Sequence, residues 1–192
     1  MGFRLSKIYT RTGDAGETGL ADGRRVPKDH PRVESMGELD SLNSQLGLLL
    51  AGLAEHEVMW PGLSEVIDVL SPCQHRLFDL GGELAMPQYQ ALNQAEVERL
   101  EAAIDLWNEE LGPLENFILP GGSLLVAQAH ICRAQARSAE RRCQQLNALE
   151  PLAGVGLAYV NRLSDLLFVA ARLIGRRMQI NEVLWEAAAK PE

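Results

Sequence analysis

From Pro31 almost to the end, apolar residues recur at the spacing of helical turns, and polar clusters interrupt them only briefly. The first predicted helix opens on PRVESMGELDSLN, with proline near its first turn. A second runs from about Leu63 to Leu84, with a possible bend at Pro72, which lacks a backbone donor. Asn93, followed three residues later by Glu96, reads as a capping box for a third helix reaching about Leu111. A fourth spans about Ser123 to Asn147 and a fifth about Gly156 to Met178. Long helices joined by short connections predict an all-α fold, a five-helix antiparallel bundle. Before Pro31 the pattern is different. Gly13, Gly16, Gly19, Gly23 and Pro27 break any period. A long loop in a compact domain usually binds something or lacks order, and the threonines, glycines and basic residues here suit phosphate. We therefore expect one domain over residues 1–192, with a loop at 1–30, the bundle at 31–178 and a tail at 179–192.

The fourth helix carries the most informative polar pattern. At about 100° per residue, Arg133, Arg137, Arg141, Glu140 and His130 fall within an arc of roughly 100°. Leu125, Ala129, Cys132, Ala136, Ala139, Cys143 and Leu146 form the neighbouring apolar stripe, and Arg142 points away. Like charges one turn apart oppose each other by a few tenths of a kcal/mol unless something negative lies beside them. Two readings stand open: carboxylates on other helices, or an anionic ligand. Asp40 shares a helical face with Asn43 and Gly47 and could supply such a carboxylate through a bidentate guanidinium pair. Asn161 and Asp165, one turn apart, read as a solvated face.

Composition narrows the choices. The net charge of −8 argues against nucleic acid or a membrane surface as partner, yet permits a local cationic pocket for a small polyanion. Cys73, Cys132 and Cys143 cannot all pair, and no secretory signal is recognisable, so a reduced cytoplasmic location is expected. No apolar run approaches the roughly 20 residues of a membrane span. The opening MGFRLS fits a loose myristoylation pattern without a following basic cluster, and we treat it as chance. No P-loop, dinucleotide fingerprint, HExxH or CxxC is present.

Six segments together resemble the PduO-type ATP:cob(I)alamin adenosyltransferases: YTRTGDAGETGL, RVPKDHPRVE, GELDSLN, FILPGG, CRAQARSAER and NRLSDLLFVAAR, in that order from Tyr9 to Arg172. The resemblance implies a five-helix bundle whose N-terminal loop binds nucleotide, assembled as a homotrimer with active sites between subunits. It implies that Co(I) of a reduced corrinoid attacks the 5′ carbon of ATP, releasing triphosphate. It places Thr10, Arg11, Thr12 and Gly13 around the nucleotide, with Thr18 and Lys28 on its phosphates. Arg137 and Arg141 reach the triphosphate, Glu140 and Asn161 complete the nucleotide site, and Mg²⁺ bridges phosphate oxygens. Asp40 and Arg133 correspond to a salt bridge on the corrinoid side, and Phe117 to the aromatic that displaces the corrinoid's lower axial ligand. A corrin reductase and an adenosylcobalamin-dependent enzyme are the implied partners. Ser138 replaces a common arginine and DSLN a commoner DELN; both changes lie off the faces just described. The protein ligands of the metal and the role of the tail stay open. A non-catalytic adaptor for an acidic partner and another ATP-dependent enzyme are the competing readings.

Overall fold

The computed structural model describes residues 8–114 and 116–188; MGFRLS lies outside them. The first long helix, α1 (Pro31–His56), starts where the ring nitrogen of His30 accepts from the Arg32 amide, with proline in the first turn. Leu39, Leu42, Leu46, Leu49 and Leu53 recur every three or four residues and are buried. A short 3₁₀ turn (Pro61–Leu63) leads into α2 (Ser64–Ala85). Pro72 lies on an exposed position of α2, and the helix runs through it. The donor it lacks would have met the carbonyl of Asp68, also exposed, where water can serve instead.

The third helix, α3 (Gln94–Leu111), is capped by Asn93, whose side chain accepts from the Ala95 amide. Only half of the expected capping box forms. Glu96 turns instead to Arg76 (3.2 Å) and Arg99 (3.4 Å), because charged donors bind a carboxylate more strongly than a backbone amide does. Ser123 caps α4 (Leu124–Leu149), and α5 (Gly156–Arg177) is buried on nearly every side. The two last helices form the spine: α4 packs on α1 and α5, while α5 also packs on α3.

Cross-links fix the directions. Arg32 meets Glu150, Glu38 meets Gln135 and Gln45 meets Gln128, so α1 and α4 run antiparallel. Arg162 meets Glu101 while Arg177 meets Glu110, so α3 and α5 run parallel. Direction thus alternates at each connection, and the parallel pair is separated by two of them. The antiparallel expectation holds for consecutive helices but not for α3 against α5.

The N-terminal loop is less irregular than its sequence suggests. β1 (Glu17–Gly19) and β2 (Arg25–Pro27) form a small antiparallel hairpin, with Thr18 opposite Val26. Leu20 and Val26 are buried beneath it, too few apolar residues to register as a strand period. Cys73, Cys132 and Cys143 are free and buried, and burial pushes the Cys132 thiol up to about 12. Among the described residues, no helix is long and apolar enough to cross a membrane.

Candidate functional site

The apolar stripe on α4 is buried along its whole length, from Leu125 through Leu146. That rotation leaves Arg137 and Arg141 exposed and Arg133 half-buried. Among the described residues none of the three forms an ion pair, whereas Arg32, Arg76, Arg99, Arg162, Arg172, Arg176 and Arg177 all do. Of the two readings left open by spacing, pairing with carboxylates of the same chain is therefore excluded among these residues. Burial, and then the charge of Arg137, lower the pKa of Arg133, and its buried Nε has no partner. A negative ligand would relieve both.

Two adjoining hollows open beside this row. One, of about 770 Å³ between α3, α4 and α5, is lined by Arg133, Arg137, Arg162, Asp165, Phe168 and Arg172, among others. The other, of about 610 Å³, lies under the loop before α4 and is lined by Phe117, Ile118, Pro120, His130, Arg133 and Phe168. Arg133 and Phe168 belong to both. Glu101 and Asp105 line the first hollow as well, so the surface passes from a mixed, arginine-rich lining to an apolar one over a short distance. Glu140 accepts from Asn161 Nδ2 at 2.9 Å, joining two of the expected nucleotide residues across α4 and α5. Asp165 pairs with Arg162 at 2.7 Å rather than standing free in solvent. His130 is not on the open face: it is buried edge-on to Phe168 (6.1 Å), and desolvation lowers its pKa, so it is neutral at pH 7. Helical angle alone could not reveal the aromatic that covers it.

The glycine–threonine loop forms its own cradle. Thr10 and Thr12 hydroxyls lie 2.8 Å apart, and Arg25 donates to the Thr12 carbonyl at 2.8 Å. Arg11 adopts a left-handed φ of 61°, a conformation that costs a non-glycine residue about 1 kcal/mol and concentrates at ligand-binding turns. A Cβ at Gly13 would stand 3.1 Å from the Glu17 carbonyl and 3.4 Å from Lys28 Cε. Glycine there lets the lysine fold over the turn. Among the described residues, however, no hydrogen bond joins this loop to Arg133, Arg137 or Arg141. The hairpin sits at the end of the bundle where α1 begins, near Glu150, which follows α4, while Phe117 lies at the other end. At 1.5 Å per residue, the 26 residues of α4 separate those ends by about 39 Å.

The expected Asp40–Arg133 bridge is likewise not made within the chain. Asp40 lines a mainly apolar groove between α1 and α2 with Met36, Asn43 and Phe78, on a different side of the bundle from the hollows that Arg133 lines. Asn43 and Gly47, which share its helical side, contact Gln74 instead. Phe117 is 76% exposed and stacks edge-to-face on Trp185, with centroids 6.3 Å apart. Phe168 and Arg172 lie in the segment NRLSDLLFVAAR and Trp185 in the tail, but the sequence assigned none of them an individual role. Only Arg172 left a sign, as a lone charge inside the apolar run LLFVAARLIG.

No three His, Cys, Asp or Glu side chains converge among the described residues. Among those residues one chain thus offers no all-protein cage for Mg²⁺, an ion held as a rule by one or two carboxylates together with substrate phosphates.

Fold and site together define a five-helix bundle that presents unpaired arginines beside an aromatic-edged hollow. The chain belongs to the cobalamin adenosyltransferase family, whose family model, described as "Cobalamin adenosyltransferase", matches residues 8–174. It is 50% identical over 187 residues to a cobalamin adenosyltransferase of Cupriavidus metallidurans, covering 97% of each chain. It is 44% identical to a corrinoid adenosyltransferase of Bacillus subtilis, covering 95% of this chain and 94% of that one. Its fold matches a phenylalanine-to-alanine variant of a PduO-type ATP:corrinoid adenosyltransferase from Lactobacillus reuteri, complexed with cobalamin and ATP. There the TM-score is 0.86 and the identity 32%, over 94% of this chain and 100% of that one.

Proposed function

We propose that this protein is an ATP:cob(I)alamin adenosyltransferase working as a homotrimer, with each site between adjacent subunits. The observation that carries the reading is that Arg133 and Arg137, unpaired among the described residues, line a hollow that continues beneath Phe117, with Arg141 exposed one turn further on. In the reaction the electron pair of Co(I) forms a bond to the 5′ carbon of ATP as that carbon's bond to oxygen breaks. Triphosphate departs with the bonding electrons, so cations fixed at its oxygens lower the barrier. Arg137 and Arg141 fill this role, and Arg133 flanks the corrinoid side. Thr10, Arg11, Thr12 and Gly13 wrap the nucleotide, and Thr18 and Lys28 hold phosphates through loop donors of the kind that make anion nests. Glu140 and Asn161, already hydrogen-bonded to each other, close the nucleotide site. Phe117 enters the lower face of the corrinoid, removes its axial ligand and leaves cobalt easier to reduce.

Among the described residues of one chain neither a hydrogen bond from the loop to the arginine row nor the Asp40–Arg133 bridge forms, and this supports a site shared between copies. Asp40, in a mainly apolar groove beside the exposed Phe78, complements Arg133 on another side of the same chain. Two different patches that fit each other generate a closed ring when the rotation permits. Three buried, free thiols suit a reduced cytoplasm.

The deciding experiment mixes the protein with ATP, Mg²⁺ and chemically reduced corrinoid, follows the visible spectrum of the cobalt–carbon product and identifies the phosphate product. Adenosylated corrinoid with intact triphosphate is expected. ADP would indicate attack at the γ-phosphate and a different ATP-dependent enzyme. Absence of any MgATP stabilisation would favour an adaptor, since bound ligand must raise the melting temperature. Light scattering tests the trimer.

A further inference from the structure

Arg172 interrupts the most apolar run of α5 and is only 7% exposed. A buried guanidinium is tolerated only when its donors are satisfied. Its Nε donates to Glu182 Oε1 at 2.7 Å and its Nη1 to the Gly112 carbonyl at 3.3 Å. These partners belong to different segments. Gly112, with φ of 73°, caps α3 and begins the loop that carries Phe117. Glu182 stands at the start of a tail segment, residues 181–188, that forms a strap across the loop through an isolated bridge at Leu184.

Strap and loop hold each other by backbone. The Leu119 amide donates to the Val183 carbonyl, and the Trp185 amide to the Phe117 carbonyl, each at 2.7 Å. Asn116 Nδ2 donates to the Trp185 carbonyl at 2.7 Å, and Ile118 bridges Leu184. Phe117, mostly exposed, is thus held by the strap more than by the bundle. Arg172 ties the start of the loop and the start of the strap to the core through one planar group, whose rigid fork suits two fixed acceptors.

We propose that Arg172 is a positioning residue: by gripping Gly112 and Glu182 together it sets the strap, and through the strap holds Phe117, with Trp185 against its ring, over the hollow lined by Arg133 and Phe168. The tie stands on geometry alone; its effect on the corrinoid rests on the function proposed above. Glu182→Ala changes the more exposed member of the pair but leaves the buried guanidinium short of one acceptor, so Glu182→Gln, which keeps an acceptor oxygen and is expected to stay near the wild-type exchange rate, serves as its control. In the free protein, amide hydrogen exchange at Leu119 and Trp185 is expected to quicken about tenfold in Glu182→Ala, with amides in mid-α1 unchanged. Arg172→Lys keeps the charge but not the fork, and is expected to give a smaller change at the same two amides. With reduced corrinoid and ATP, Glu182→Ala is expected to raise KM for the corrinoid about tenfold while KM for ATP stays put. Unchanged exchange at both amides would overturn the tie. Quickened exchange with unaltered corrinoid kinetics would overturn the positioning role, and so would ATP and corrinoid parameters worsening together alongside a lower melting temperature. A wild-type protein without adenosyltransferase activity would sink the proposed function instead, leaving the exchange result to judge the tie.

Discussion

Arginines on α4 and α5 meet opposite fates. On α5, Arg162 holds Glu101 and Asp165, Arg172 holds Glu182, and Arg177 holds Glu65 and Glu110. On α4, Arg133, Arg137 and Arg141 hold no carboxylate of their own chain among the described residues. The cause lies in the neighbours. The side of α3 facing α5 carries Glu101 and Glu110 for Arg162 and Arg177, and Glu182 of the tail serves Arg172. The exposed side of α4 looks onto a hollow. Paired arginines bind the bundle together. A row of like charges one turn apart slightly disfavours its own helix, a cost that the proposed triphosphate, and Asp40 of a neighbouring copy beside Arg133, would offset in the working state.

The sharpest way to break this contrast is Arg137→Ala. Turnover is expected to fall about 10²–10³-fold, the usual effect of removing one preorganised cation or donor from developing charge. The melting temperature without ligand should hardly move, because no intramolecular pair is lost. A steady-state assay and a thermal melt on one preparation check both halves; near-normal turnover would defeat the site assignment. Arg32→Ala tests the paired class. Arg32 is 2% exposed and donates to the Leu84 carbonyl (2.7 Å) and to Glu150 (2.6 Å). Its loss is expected to destabilise the fold by about 3 kcal/mol, read from the shift in denaturant midpoint.

Phe117→Ala should lower reduction-coupled activity about tenfold while leaving ATP affinity intact, because the ring acts on cobalt rather than on nucleotide. Equal loss of both would mean that the loop has collapsed. The smallest effect is a pH dependence. The hydrogen bond from Arg32 lowers the carboxyl pKa of Glu150 below its ordinary 4.5. That pair therefore stabilises the fold above about pH 4.5 and loses its contribution as pH falls through the lowered value. Melting curves between pH 6 and pH 3 should show a shallower acid limb for Glu150→Gln than for the wild type.

Much of the fold was legible because its helices are amphipathic and amply separated. The α4 stripe from Leu125 to Leu146 is buried as its angles require, and Arg142 points outward. The hairpin at Glu17–Pro27 was not legible, since two three-residue strands show no usable period. The divided fate of Glu96, which prefers two arginines to its own helix cap, also needed neighbours that sequence order does not supply.

By itself, the sequence determined where helices begin and stop, which face of each is apolar, and that three guanidiniums share one side of α4. These follow from the 3.6-residue period and from local capping, which depend on neighbours a few positions away. Only the tertiary structure decided which charges are paired, that His130 lies under Phe168, and that the tail clasps the Phe117 loop through Arg172. Those outcomes depend on which side chains meet between elements that lie from ten (Arg172–Glu182) to more than a hundred residues apart (Arg32–Glu150), and no local period carries that information.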